Sequence, residues 1–156
     1  MNLQLRKSIV SDLEIFYQNQ TDEEANYMAA FTPKNPNDKV GYMKKWQRLL
    51  QDETINMQTI LLDNQVIGCV VKYVMDGEAE ITYAIDKKYW RQGITTKAVQ
   101  QFLEIETNRP IFGRVAYDNF GSQKVLEKAG FQKIGKSMWY ANARGKEIEE
   151  FIYKLK

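Results

Sequence analysis

Apolar and polar positions follow two rhythms along this chain, a helical one near the start and an alternating one through most of the rest. Leu3 and Leu5 alternate with polar neighbours, as a short half-buried strand does. Ser11-Asp12-Leu13-Glu14 reads as a capping box, a hydroxyl and a carboxylate satisfying free amides at a helix start. Leu13, Phe16 and Tyr17 give that helix its apolar face. A second helical stretch is expected over residues 22–31. Pro33 and Pro36 then break the chain, since neither can donate a backbone hydrogen bond. Asp38 caps a third helix, whose stripe is Val40, Met43, Trp46 and Leu50.

After Glu53 the period shortens. Met57–Leu62 and Val66–Val74 are apolar runs joined by Asp63-Asn64-Gln65, a hairpin signal, and Asp76-Gly77 makes the next turn. In Glu78–Ile85, Ile81, Tyr83 and Ile85 alternate with Glu80, Thr82 and Ala84. These three strands are most economically an antiparallel meander. The loop Asp86–Gly93 follows, and then a buried helix with Ile94, Ala98, Phe102 and Ile105 on one side, ending before Arg109-Pro110. Ile111–Tyr117 reads as a strand, Ser122–Ala129 as a short helix and Gly130 as its left-handed C-cap. Phe131–Tyr140 and Ile148–Leu155 form a last hairpin. The result is a mixed α/β or α+β fold around one sheet.

Composition narrows the chemistry. A chain of 156 residues matches one domain of about 100–200 residues. A net charge of +2 leaves no strongly basic face for nucleic acid. The absence of His excludes Ser-His and Cys-His nucleophilic machinery and any zinc site that needs imidazole. The single Cys69 forms no internal disulfide and reads as a small buried hydrophobe. The longest apolar run, Val66–Val71 broken by Gly68, is far short of the roughly 20 residues that cross a bilayer, so no membrane partner is expected. No apolar leader follows Met1, which makes a cytoplasmic location the expectation.

Three segments could carry chemistry. Gly130-Phe131-Gln132-Lys133-Ile134-Gly135-Lys136-Ser137 matches a phosphate-loop pattern letter for letter. Such a loop needs a strand before it and a helix after it; here the order is reversed, and the match is chance. Tyr89-Trp90-Arg91-Gln92-Gly93-Ile94-Thr95-Thr96 joins a strand end to a helix start. Free first-turn amides, a positive dipole end, a glycine and the nearby Lys87, Lys88 and Arg91 suit a phosphate or pyrophosphate, or simply cap a core helix. Asn119-Phe120-Gly121-Ser122 could likewise present an amide to a ligand or only cap the helix after it.

In this order, with Gly93 and Asn119 26 residues apart, the last two segments resemble the GNAT superfamily of acyl-CoA-dependent N-acetyltransferases. Tyr89-Trp90-x-x-Gly93-x-Thr95-Thr96 is similar to the family's pyrophosphate loop. Asn119-x-x-Ser122-x-x-x-Leu126-Glu127-Lys128-x-Gly130-Phe131 is similar to the motif at the thiol end of the cofactor. The wording is closest to the branch that includes ribosomal-protein N-terminal acetyltransferases. Three positions depart from the family pattern: Trp90 three before the loop glycine, Thr95 two after it, and Leu126 where many members carry a tyrosine acid.

The resemblance implies a single GNAT-like domain over residues 1–156, with a central, mixed, mostly antiparallel sheet of about seven strands flanked by about four helices. It implies an acetyl-CoA-dependent N-acetyltransferase that needs no metal. Tyr83 and Ile85 would meet the pantetheine arm through backbone. The amides of Arg91, Gln92, Gly93, Ile94, Thr95 and Thr96 would hold the pyrophosphate, and Asn119 would contact the arm near its sulfur. A neutral amine would attack the thioester directly. With no His, the base is a carboxylate, a tyrosine or a water chain. Glu80 is the first candidate, its alternative being an ordinary solvent-facing strand carboxylate. Ser122, with Tyr117 as a fallback, would protonate the leaving thiolate. Asp22, Glu23, Glu24, Tyr27, Phe31, Trp46, Trp139 and Tyr140 would wall the acceptor, a primary amine of a small molecule or of a peptide or protein N-terminus. The protein is expected to be a monomer or homodimer. The alternative is a non-catalytic acyl-CoA-binding or regulatory domain on the same fold, which Leu126 favours.

Overall fold

A computed structural model describes residues 1–156. Seven strands, β1 (Leu3–Lys7), β2 (Asn56–Leu62), β3 (Gln65–Met75), β4 (Glu78–Ile85), β5 (Ile111–Ala116), β6 (Gln132–Ala141) and β7 (Lys146–Leu155), form one sheet in the order β1-β2-β3-β4-β5-β7-β6. The five helices are α1 (Leu13–Thr21), α2 (Glu23–Ala29), α3 (Lys39–Leu50), α4 (Ile94–Ile105) and α5 (Phe120–Lys128), one more than the expected four or so. The meander is as expected, with β2–β3 and β3–β4 both antiparallel. So is Gly130, which ends α5 at a φ of 97°. The residues of the chance phosphate-loop match run into β6, with no helix after them.

Alternation along the strands sends side chains to opposite faces. Ile81 and Ile85 from β4 and Ile111 and Val115 from β5 join Phe102, Val99 and Leu126 of α4 and α5 in the larger core. On the other face Val71 and Met57 pack against Leu13 and Phe16 of α1, with Tyr42 and Trp46 of α3 alongside. α2 buries none of its own residues; Ala30, just after it, packs with Ala116, Ala141 and Ile148.

The N-terminal cap differs from the expected box. Glu14 bonds Gln18 and Lys39 instead of a cap amide. Asp12, buried at the end of a 3-10 turn (Val10–Asp12), accepts from the Ile9 amide, both ends of the Arg6 guanidinium and the Thr59 hydroxyl. A carboxylate reached by four donors in the interior outcompetes a surface hydroxyl for the turn. Burial works against its charge, yet those donors together hold Asp12 below the ordinary carboxylate range.

One pairing matters most for function. β4 and β5 are the only parallel neighbours and meet at just three pairs, Ala79–Ile111, Glu80–Phe112 and Ile81–Gly113. α4 supplies the crossover that a parallel pair requires. From Thr82 onward β4 keeps its β3 partners but has none on the β5 side. The sheet is therefore split between the C-terminal ends of these two strands.

Candidate active site

The loop after β4 leads into the split. A 3-10 turn at Lys87–Tyr89 is capped by Asp86, and the Trp90 indole donates to the Ile85 carbonyl at 3.2 Å. That bond occupies one of the backbone groups expected to face the pantetheine arm. Arg91 (φ 64°) and Gly93 (φ 74°) both take the left-handed conformation. A left-handed residue between right-handed or extended neighbours turns successive N–H groups towards one point, making an anion cradle. None of the six amides from Arg91 to Thr96 donates to any group of the chain, and Lys97 is the first to bond back, to the Gly93 carbonyl. The hydroxyls of Thr95 and Thr96 are equally uncommitted. A Cβ on Gly93 would meet nothing within 4 Å, so the glycine serves the backbone angle and leaves open space above it. These donors sit at the positive end of a twelve-residue helix, the arrangement that suits phosphate oxygens.

The cations of this loop are less free than the sequence suggests. Lys87 bonds Asp22 at 2.9 Å and lies 3.7 Å from Glu24, both at the start of α2. Lys88 lies over the Tyr89 ring. Only Arg91 is left without an ion pair or ring partner.

On the α4–α5 side of the split, the Tyr83 hydroxyl lies 2.7 Å from Ser122 Oγ and 3.2 Å from the Ser122 carbonyl. Tyr83 and Ser122 thus meet through side chains across the opening. Burial pushes the Tyr83 phenol well above its ordinary value, so it stays a neutral hydroxyl. Asn119 caps α5 through its Oδ1, which accepts from the Ser122 amide at 3.2 Å, while its Nδ2 donates to the Met28 carbonyl at 3.3 Å. Its oxygen caps the helix, as the capping alternative expects, and Nδ2 keeps a second N–H free of any partner in the chain. Tyr117, just beyond β5, is exposed and bonds nothing through its hydroxyl.

Glu80 is not the solvent-facing carboxylate that strand alternation allows. It is 1 % exposed, accepts from Arg114 Nε at 3.2 Å through Oε1, and keeps Oε2 buried without a partner. Burial raises its pKa, against the pull of Arg114. Arg114 also donates to Glu150 at 3.2 Å. Neither Arg114 nor Glu150 stands out in the sequence. Arg114 is the one charge in an otherwise apolar strand, a sign that could have found it, whereas Glu150 sits in a strand rich in charges and carries no such sign.

The expected acceptor walls are partly spent on each other. Asp22 caps α2 by accepting from the Ala25 amide and is held below its ordinary value by Lys87. Arg144, in the turn between β6 and β7, bonds Asp118 at 2.9 and 3.0 Å and the Tyr27 carbonyl at 2.7 Å. Its guanidinium also covers the Tyr27 ring at 3.8 Å. Trp46 stacks with Tyr42 in the α1–α3 cluster, away from the split. Trp139 and Tyr140 remain exposed on β6. The Cys69 thiol is raised by burial to about 12, which fits a core residue and no nucleophile.

The family model for the acetyltransferase (GNAT) domain matches residues 2–132. The chain belongs to this family. An N-acetyltransferase of Bacillus licheniformis known as p20, itself uncharacterized, is 27% identical over 98% of this chain and 92% of its own length. Among solved structures, a ribosomal L7/L12 alpha-N-protein acetyltransferase (RimL) in complex with coenzyme A superposes with a TM-score of 0.85 at 20% identity, over 99% of this chain and 94% of that one. A spermidine N-acetyltransferase from Vibrio cholerae, in complex with CoA and spermine, gives 0.79 at 16% identity, over 97% and 95%. These likenesses show the GNAT fold expected from the two motifs, and the neighbours hold CoA on it. The split sheet and the open amide cradle are the parts of this chain that fit such a ligand.

Proposed function

We propose that this GNAT protein transfers an acetyl group from acetyl-CoA to a primary amine of a small molecule or of a peptide or protein N-terminus. The observation that carries the reading is the run of six unpartnered amides, Arg91 to Thr96, opening beside the split between β4 and β5. On this reading the amides of Arg91, Gln92, Gly93, Ile94, Thr95 and Thr96 hold the pyrophosphate. Tyr83 and Ile85 lie along the pantetheine arm through backbone, the Ile85 carbonyl being shared with the Trp90 indole, with Asn119 near its sulfur. Acetyl-CoA brings an already activated thioester. The protein's work is to place the amine, worth up to about 7–11 kcal/mol of barrier, and to manage two protons.

In the transfer, a C–N bond forms as the C–S bond breaks. Glu80 takes the amine proton, and because it is 1 % exposed the proton reaches it through an intervening water. Ser122, backed by the neutral Tyr83 hydroxyl, returns a proton to the thiolate, with Tyr117 as the alternative donor. A second reading, an acyl-CoA-binding domain without turnover, draws on Leu126. That residue is 1 % exposed in the core, leaving no tyrosine acid at its position.

Calorimetric titration with acetyl-CoA, with CoA and magnesium-ATP as controls, tests the cofactor site. Saturable acetyl-CoA binding without ATP binding is the expected result, and no CoA binding would end the proposal. Turnover on a panel of amines, peptides and aminoglycosides then separates the two readings. Asn119→Ala is expected to lower turnover at least tenfold.

A further inference from the structure

The charged cluster behind the split has an arrangement that the catalytic reading does not require. Arg114 is the first β5 residue beyond the three β4–β5 pairs. Its guanidinium spans two strands, Nε to Glu80 on β4 and Nη1 to Glu150 on β7, each at 3.2 Å. Ser137 on β6 lies 3.4 Å from the same Glu150 oxygen and accepts from the Trp139 indole at 2.8 Å. Both carboxylates are buried, Glu80 to 1 % and Glu150 to 7 % exposure, so two negative groups share one positive one.

A guanidinium can grip one carboxylate with two parallel bonds at about 2.7–2.9 Å. Here it gives each partner one longer bond. Glu80 consequently keeps a buried oxygen with no donor at all.

We propose that Glu150 is a positioning residue for proton transfer: by holding one edge of Arg114 it prevents a two-bond grip on Glu80 and leaves Glu80 the carboxylate ready to take a proton. The proposal rests on the reading of Glu80 as the proton acceptor. Tyr73 faces Glu80 from β3, and Glu78 lies two residues along β4. Of the helices on that side, α1 carries Glu14, paired with Lys39, and Tyr17, packed on Tyr42. α2 carries Glu23, Glu24 and Tyr27, the last covered by Arg144. Arg114 is the cation that touches Glu80, so its division between two partners decides how readily Glu80 is protonated. Burial, which raises Glu80, and the nearby Glu150, which raises it further, agree with that geometry.

The test is carboxyl-carbon NMR of the full chain labelled at glutamate, with Glu80→Gln assigning the Glu80 signal. In Glu150→Gln the Glu80 midpoint is expected to fall by half a pH unit or more, because Arg114 turns wholly to Glu80 and because the repulsion from Glu150 is gone. The acid limb of kcat/KM, measured with the best amine of the panel, should move the same way with KM unchanged. An unmoved or raised Glu80 midpoint would overturn the proposal. Glu150→Asp, which keeps the charge but shortens the reach, separates the two causes and also serves should Glu150→Gln fail to fold: it must lower the midpoint in the same sense or the proposal fails. The NMR needs no acceptor. A shifted midpoint in a protein that acetylates nothing would therefore sink the transferase reading and keep the Glu150–Arg114–Glu80 coupling.

Discussion

The loop leading into α4 and the turn joining β6 to β7 both serve the C-terminal ends of β4 and β5, yet they treat their polar groups in opposite ways. The loop leaves six consecutive amides and two threonine hydroxyls without partners. The turn spends almost everything inside the chain: Asn142 donates to the Thr32 carbonyl, Ala143 to Ala30, and Arg144 to Tyr27 and Asp118. An exposed cradle of donors costs little to keep because water satisfies it, and it accepts an anion without rearranging. A clasp that satisfies itself must give up bonds to admit a ligand. One side of the site is thus ready-made for a cofactor, and the other stiffens the fold until an acceptor competes for its groups.

Three experiments can break or sharpen this contrast. Arg144→Ala removes a buried bidentate pair, a carbonyl bond and a ring contact together. It should lower unfolding stability by about 2–3 kcal/mol, below the upper range for buried pairs because Asp118 stays partly wet. Acetyl-CoA affinity should change less than threefold. Denaturant melts and calorimetry on the same preparation read both quantities, and a matching collapse of affinity would mean that the two regions are not separable.

Gly93→Val should do the reverse. Its left-handed angle costs a branched residue about 1–2 kcal/mol, and its side chain enters the open space above the cradle. Acetyl-CoA affinity should fall at least tenfold, about 1.4 kcal/mol or more, while the melting temperature drops only a few degrees. Undiminished binding would remove the loop from the site.

The smallest effect concerns acid. The Lys87 bond, with help from the Ala25 amide, holds Asp22 below its ordinary value. A carboxylate whose folded pKa is depressed stabilises above its unfolded value, near 3.9, and loses that contribution as pH falls through the folded one. Between pH 6 and 3 the amides of Ala25 and Asn26 should lose hydrogen-exchange protection, after correction for intrinsic rates. Those inside α4 should keep theirs. Equal loss in both helices would show that the α2 anchor is not specifically acid-sensitive.

Most of the frame was legible in the sequence because it rests on local rules. The apolar rhythm of Ile81, Tyr83 and Ile85, the Asp63-Asn64 turn and the Gly130 cap act over a few residues, and the structure repeats them. Element ends moved where bonds beyond the apolar pattern extend an element. α5 starts at Phe120 because Asn119 caps it, and β7 begins at Lys146 because its first residues pair with the end of β6. The charged network behind Glu80 stayed hidden for the same reason the cap at Asp12 did. Arg114 and Glu150 are 36 positions apart, and Asp12 meets Thr59 across 47, distances over which no periodicity speaks. Leu126 shows how a departure from a family motif becomes intelligible: a methyl at Gly113 would stand 2.9 Å from its side chain, so the position is filled by core contact.

The order of strands has a consequence for how this molecule could be taken apart. β1 to β4 come from residues 3–85 and β5 to β7 from residues 111–155, so the sheet divides into two contiguous stretches of chain sewn by three residue pairs. α4 packs on β1, β3 and β4 of the first stretch and on α5 of the second. Each stretch keeps its antiparallel ladders to itself, and across the shortest seam in the sheet the two are held by side chains: the shared larger core and the bonds of Tyr83 to Ser122, Arg114 to Glu80 and Asn119 to Met28. In the sheet itself, a molecule lodged in the seam would bridge two stretches of chain that backbone pairing barely joins.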